Sequence, residues 1–175
     1  MRLIPNLRAL GLAVAILATA ALTPAANAAT MRIVALGASN TAGKGVSVAW
    51  PAMLQQILRA KGYDAEVANA GISGDDLDRM LARLDSAVPE GTQLVILDKS
   101  PSTDRTRGIN IHTGVVRIRA RLKARSIKLI VIPNIHVWAN NHLQADGLHI
   151  TEQGHAAVAA HLLPLVIAAL GKGRH

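Results

Sequence analysis

Residues 31–45, Met-Arg-Ile-Val-Ala-Leu-Gly-Ala-Ser-Asn-Thr-Ala-Gly-Lys-Gly, decide the fold: a short apolar strand, Met31–Leu36, runs straight into a Gly/Ser/Asn loop, Gly37–Gly45. A buried strand that delivers a small-residue loop at its carboxyl end is how a strand–helix–strand unit begins. The rest of the chain keeps that rhythm. Met53, Leu54, Ile57 and Leu58 recur at helical spacing and predict a helix from Val48 to Ala60, with Pro51 in its first turn and Gly62 past its end. Ala65–Ala68 predicts a second strand, followed by a loop, Asn69–Gly74. Asp75 is then expected to cap a helix whose stripe is Leu77, Met80, Leu81 and Leu84. Gln93–Leu97 reads as a third, buried strand and Lys99–Gly108 as a polar loop. A helix over Thr113–Ala124 and a fourth strand over Lys128–Ile132, stopped by Pro133, come next. Asn134–Leu148 reads as a loop with a short extended piece at Ile135–Trp138. Thr151 caps a last helix, which should turn Val158, Leu162, Leu165, Val166 and Leu170 inward despite Pro164.

This alternation predicts an α/β fold, a three-layer αβα sandwich on a flavodoxin-like parallel sheet of four to five strands. Residues 29–175 form its single domain. Residues 1–28 read as a signal peptide: Arg2 and Arg8 give a positive start, Ala9–Leu22 is a charge-free apolar run, and Ala26-Asn27-Ala28 is an A-x-A cleavage site. The rival is an uncleaved anchor, but that run would rise only ~21 Å as a helix against a ~30 Å hydrocarbon core. No later segment reads as long and apolar enough to span a membrane. A soluble periplasmic or secreted product is therefore expected.

The chain has no cysteine, which excludes disulfides, thiolate metal sites and a cysteine nucleophile. The net charge of +8 falls to +6 when Arg2 and Arg8 leave with the leader. Much of the excess sits in Arg117, Arg119, Arg121, Lys123, Arg125 and Lys128. Nucleic-acid binding would want that stripe joined to stacking aromatics. With no Phe, one Tyr and two Trp, the stripe reads as a solvated helix face, and nucleic acid is not an expected partner.

Ligands of such sheets bind outside the carboxyl ends of the strands. The loops expected there carry Ser39; Asn69, Ser73 and Gly74; Ser102, Thr103 and Asp104; and Asp146 with His149. A serine nucleophile needs a base in hydrogen-bond reach, and the base needs an orienting acid. Asp146-Gly147-Leu148-His149 offers both from one turn. A metal reading is disfavoured, because His155 and His161 are six apart rather than at the i, i+4 spacing that would face one ion. Around Ser39, position 41 is Thr, so the G-x-S-x-G elbow fails. Gly37 to Gly43 is one residue too long for a phosphate loop. What remains is a serine at a strand end beside a helix start, whose amides can hold an oxyanion.

Three blocks together resemble the SGNH (GDSL-like) serine hydrolase family. Leu36-Gly37-Ala38-Ser39-Asn40-Thr41-Ala42-Gly43 is similar to its G-D-S motif. Asn69-Ala70-Gly71-Ile72-Ser73-Gly74-Asp75 is similar to N-x-G-x-S-G-D. Asp146-Gly147-Leu148-His149-Ile150-Thr151-Glu152-Gln153-Gly154-His155 resembles D-G-x-H-P-T-x-x-G-H. The resemblance implies an ester hydrolase of the esterase/lipase kind without cofactor or metal, acting on small or medium acyl esters. It makes Ser39 the nucleophile, His149 the base and Asp146 its orienter, and it gives the oxyanion to the amides of Ser39 and Gly74. Three departures stand out. Ala38 replaces the aspartate before the serine, and Ile150 replaces the proline after the histidine. The block expected as G-x-N-D reads Ser100-Pro101-Ser102-Thr103-Asp104, with Thr103, or Ser102 in a shifted register, in place of the asparagine as third oxyanion donor. The short span from Asp104 to Asp146 implies a lost or reduced final strand. The alternative to an active esterase is a catalytically weak SGNH-like protein that binds acylated or glycan ligands in the cell envelope.

Overall fold

The computed structural model describes residues 30–99, 108 and 110–171. The leader, residues 1–28, and the third block with Ser102, Thr103 and Asp104 lie outside the described residues. Four parallel strands form one sheet: β1 (Met31–Gly37), β2 (Ala65–Gly71), β3 (Leu94–Asp98) and β4 (Lys128–Ile132), in the order β2-β1-β3-β4. The chain passes from β1 to β2 on one side, then crosses to β3 on the other. The switch point, the place where sheets of this kind bind their ligands, is therefore between β1 and β3.

The helices are α1 (Ser39–Ala42), α2 (Trp50–Ala60), α3 (Leu77–Ala82), α4 (Leu84–Ala87), α5 (Ile111–Ala124), α6 (Ile135–Trp138) and α7 (Glu152–Leu170). Strand alternation sends Ile33 and Ala35 to one face, where Trp50, Leu54 and Leu58 of α2 meet Val158, Leu162 and Val166 of α7. Val34 and Leu36 go to the other, against Leu77, Met80 and Leu84 and against Ile118 and Leu122 of α5. This is the expected three-layer sandwich.

Several local expectations need correction. β2 runs on through Asn69, Ala70 and Gly71, because these residues pair in register with Ala35, Leu36 and Gly37. The helix after β2 is capped by Asp76, whose side chain accepts the Arg79 N–H; Asp75 instead pairs with Arg83. Leu81 is only partly buried, and the stripe breaks into two short helices at Arg83. Ile135–Trp138 is a helical turn, not an extended piece, since Asn134 Oδ1 accepts the N–H groups of His136 and Val137. Leu165 is 41% exposed. The buried stripe of α7 runs through 158, 162 and 166 and is flanked by Leu163, Ile167 and Leu170, which leaves Leu165 on its open side. α7 is also long and apolar enough to cross a membrane by length and composition, contrary to expectation; here one face of it packs on α2. The basic stripe is a solvated face, as expected, with exposed ion pairs from Arg117 to Asp78 and Arg121 to Asp85; only Arg125, also beside Asp85, is partly buried.

Candidate active site

α1 is a single helical turn that starts where β1 stops. Its N-cap, Ala38, offers no side-chain hydrogen bond, so the first amides of the turn are left uncapped. Gly71 lets that turn sit against the end of β2: a Cβ there would lie 2.2 Å from Ala42 N and 2.7 Å from Thr41 C, both backbone atoms. Below the turn, Thr41 Oγ1 donates to Asp98 Oδ2 at 3.2 Å, anchoring α1 to the end of β3. Ser39, first in the turn, is half-buried and faces the loop before α7.

That loop supplies the imidazole. Ser39 Oγ lies 3.0 Å from His149 Nε2, and His149 Nδ1 lies 2.5 Å from Asp146 Oδ2. With Nδ1 protonated towards the carboxylate, Nε2 is the acceptor for the serine hydroxyl, an assignment made from the hydrogen-bond network. His149 is 3% exposed, whereas the Asp146 side chain is 48% exposed. Asp146 Oδ1 also accepts the N–H groups of Leu148 and His149, both at 2.9 Å. The His149 side chain first, then these two amides, hold the Asp146 carboxyl well below the usual carboxylate range. A carboxylate that stays ionised beside Nδ1–H fixes the imidazole tautomer and orientation.

The β2–α3 loop is tied to the same edge by Ile72 N–H, which donates to Gly37 O at 3.1 Å. Gly74 is exposed in this loop with φ +81°, a left-handed conformation that explains the glycine, since a Cβ there would meet nothing within 4 Å. Asn69 and Ser73 are exposed, and Asn69 Oδ1 turns back on its own strand to accept Gly71 N–H at 2.9 Å. The structure thus brings Ser39, His149 and Asp146 into one line and sets Gly74 in the adjoining loop.

Four polar residues around the line have no role in the sequence reading. Asn40 and His136 both reach Leu148 O, at 3.3 and 2.9 Å. Gln144 Nε2 donates to Lys44 O and Ile150 O, both at 2.9 Å, joining the Ser39 loop to the His149 loop. Arg83 donates to Gly37 O, Ala70 O and Asp75. Only Asn40 stood inside a quoted motif; the others sit in a loop, a short helical turn or a helix junction, where spacing carries no sign of main-chain partners from 6 to 100 residues away. Among the described residues no group of three His, Asp or Glu gathers to hold a metal ion.

The chain is 31% identical over 119 residues to esterase TesA of Pseudomonas aeruginosa, covering 66% of this chain and 59% of that protein. It is 34% identical over 86 residues to an arylesterase of Vibrio mimicus, covering 48% of this chain and 43% of that one. The match therefore spans about three fifths and two fifths of these relatives' lengths. The TesA crystal structure superposes with a TM-score of 0.68 at 22% identity, over 81% of this chain and 99% of that one. The SGNH-hydrolase family esterase AlinE4 gives 0.55 at 23% identity, over 82% and 74%. Its fold is that of the SGNH hydrolases. No family model matches it. In this SGNH-like frame the departure at Ala38 has a packing reason, because Ala38 is buried in the apolar layer with Val34, Leu36 and Leu77. An unpartnered carboxylate there would be costly.

Proposed function

We propose that the chain is an exported serine ester hydrolase, cleaving small acyl esters through an acyl-enzyme on Ser39. The observation that carries this reading is the unbroken hydrogen-bond line from Ser39 Oγ through His149 to Asp146. Two curated relatives with esterase names support the class of reaction. As Ser39 Oγ attacks the ester carbonyl carbon, His149 Nε2 takes its proton, and Asp146 stabilises the imidazolium. The carbonyl oxygen becomes an oxyanion, received by the amides of Ser39 and Gly74. Thr103, or Ser102, serves as a third donor. The imidazolium then protonates the departing alkoxide and leaves the acyl group on Ser39. His149 next deprotonates a water, which releases the acid and restores the serine. Each oxyanion donor in such sites is worth roughly 10²–10³ in kcat. The reaction as proposed uses neither cofactor nor metal.

Residues 1–28 are proposed as a cleaved leader, with 29–175 as the mature domain in the periplasm or outside the cell. A mature N-terminus at or near Ala29 on the cellular protein is the expected result; an intact Met1 with cytoplasmic fractionation overturns it. The catalytic reading is tested by fluorophosphonate labelling, with the adduct mapped by mass spectrometry. A single adduct on Ser39, lost in Ser39→Ala, is expected. A folded protein that takes no label points instead to an SGNH-like binding protein for acylated or glycan ligands.

A further inference from the structure

We infer that Asn40 is a positioning residue, one side chain that grips the His149 segment on both sides and so sets the distance between base and nucleophile. The inference rests on the proposed roles of Ser39 and His149. Asn40 Oδ1 accepts the N–H of Ile150 at 3.0 Å, and Asn40 Nδ2 donates to the carbonyl of Leu148 at 3.3 Å. The two bonds flank His149 along the chain. They also fix the orientation of the amide, since one end must accept and the other must donate. Leu148 O has a second tie, to His136 Nε2 at 2.9 Å, so the peptide before His149 is held from two directions.

Asn40 directly follows Ser39 in α1, and α1 is anchored from below by the Thr41–Asp98 bond. Any shift of that turn carries the serine and the clamp on the histidine together. A loop and a helical turn more than a hundred residues apart in sequence thereby move as one unit. This coupling matters because a misplacement of ~1 Å in such a pair can cost ~10² in rate.

The clamp is tied to one of this chain's own departures. The resembled signature has proline after the histidine, and proline has no N–H. Ile150 has one, and it is wholly buried, where an unpaired amide is unfavourable. Asn40 Oδ1 takes that N–H. The isoleucine thus creates a donor that the asparagine beside the serine uses, and a proline there would leave half of the clamp unmade.

The bland alternative is that Asn40 only satisfies two buried polar groups. Combining variants separates the two, because a lever on His149 has nothing to act through once the imidazole is gone. In the full chain, Asn40→Ala should lower kcat for an aryl ester by about 10–10²-fold, with KM within about twofold. The rate of fluorophosphonate labelling of Ser39 should fall in parallel. In a His149→Ala background, Asn40→Ala should add no further loss to the residual rate. Wild-type kcat in Asn40→Ala, or the same fractional loss with and without His149, overturns the inference. If Asn40→Ala does not fold, Asn40→Leu keeps the volume while removing both bonds, and the same outcomes apply. Ser39→Ala keeps the two readings apart. If it still hydrolyses the ester, the nucleophile assignment fails; if it is dead while Asn40→Ala is fully active, only the positioning role fails.

Discussion

His155 Nδ1 accepts the backbone N–H of Trp50 at 3.0 Å, so a histidine buried on α7 caps the first turn of α2. The ring must be neutral to accept there, and burial pushes its pKa down to about 4. Its other nitrogen and the indole nitrogen of Trp50 are buried without a hydrogen-bond partner among the described residues. In the unfolded chain the ring titrates at its ordinary value, so between about 6.5 and 4 the unfolded state holds more protons than the folded one. Stability from this group is complete above about pH 6.5 and is lost as pH falls towards 4. The drop is on the order of 3 kcal/mol at about 1.4 kcal/mol per pH unit. Urea midpoints at pH 7 and pH 4.5 should differ accordingly. His155→Gln should be less stable at pH 7 but should flatten the difference; an unchanged slope rules out His155 as its source.

Asp146→Asn is the sharpest test of the acid. An asparagine can still accept the Leu148 and His149 amides through its oxygen, so the loop should keep its shape. It can no longer hold Nδ1–H as a carboxylate does, and the wrong tautomer becomes available. A loss of ~10³–10⁴ in kcat is expected, with thermal unfolding almost unchanged. In the wild type, kcat/KM should rise with pH and then level, because the base must be neutral to accept the serine proton. The Asp146 carboxylate stays ionised throughout because its three hydrogen bonds hold it low. A flat profile with chemistry rate-limiting counts against a histidine base.

Gly71 makes the close approach of α1 to β2 possible, and the atoms a Cβ would strike are backbone, so no side chain can swing away. Gly71→Ala should therefore displace the turn that carries Ser39. Strain of this kind typically costs ~1–3 kcal/mol. The prediction is a lowered melting temperature together with a fall in kcat. Gly74→Ala is the contrast, since the space around Gly74 is open and the only penalty is its positive φ. Equal effects at the two positions would mean that steric approach is not what Gly71 provides.

Much of this was legible because it is local. The strand starting at Met31, the Thr151 cap of α7 and the D-x-x-H turn are each set by residues within a few positions of one another. What sequence misjudged depends on partners elsewhere. Asn69-Ala70-Gly71 reads as a loop that ends β2 at Ala68, yet pairing with β1 extends the strand. Asp75 reads as a cap, but Arg83 claims it and Asp76 takes the role. Asn134 lies in a stretch that reads as loop although Asn is a good N-cap, so the α6 turn that carries His136 does not show in the sequence. Asn40, Gln144 and Arg83 reach backbone carbonyls and amides, and side chains bonded to main chain leave no pattern of matching residue types in the sequence.

Arg83 makes the last prediction. Its guanidinium donates to Asp75 Oδ2 at 2.7 Å, Ala70 O at 2.8 Å and Gly37 O at 3.3 Å. It thus ties together the ends of β1 and β2 and the loop that holds Gly74. The pair is largely buried, with side-chain exposures of 19% for Arg83 and 8% for Asp75. Removing one partner of such a pair leaves a charge unpaired in a poorly solvated place, which costs about 3–5 kcal/mol when burial is complete. Some solvent reaches Arg83, so Arg83→Met should lose about 2–3 kcal/mol by urea unfolding. Arg83→Lys should recover only part, because an ammonium cannot fork between a carboxylate and two carbonyls. Adding Asp75→Asn to Arg83→Met should restore some stability by removing the stranded charge. It should not restore kcat, since the two strand ends stay untied. Stability within about 0.5 kcal/mol of wild type in Arg83→Met would show that water replaces the guanidinium at little cost.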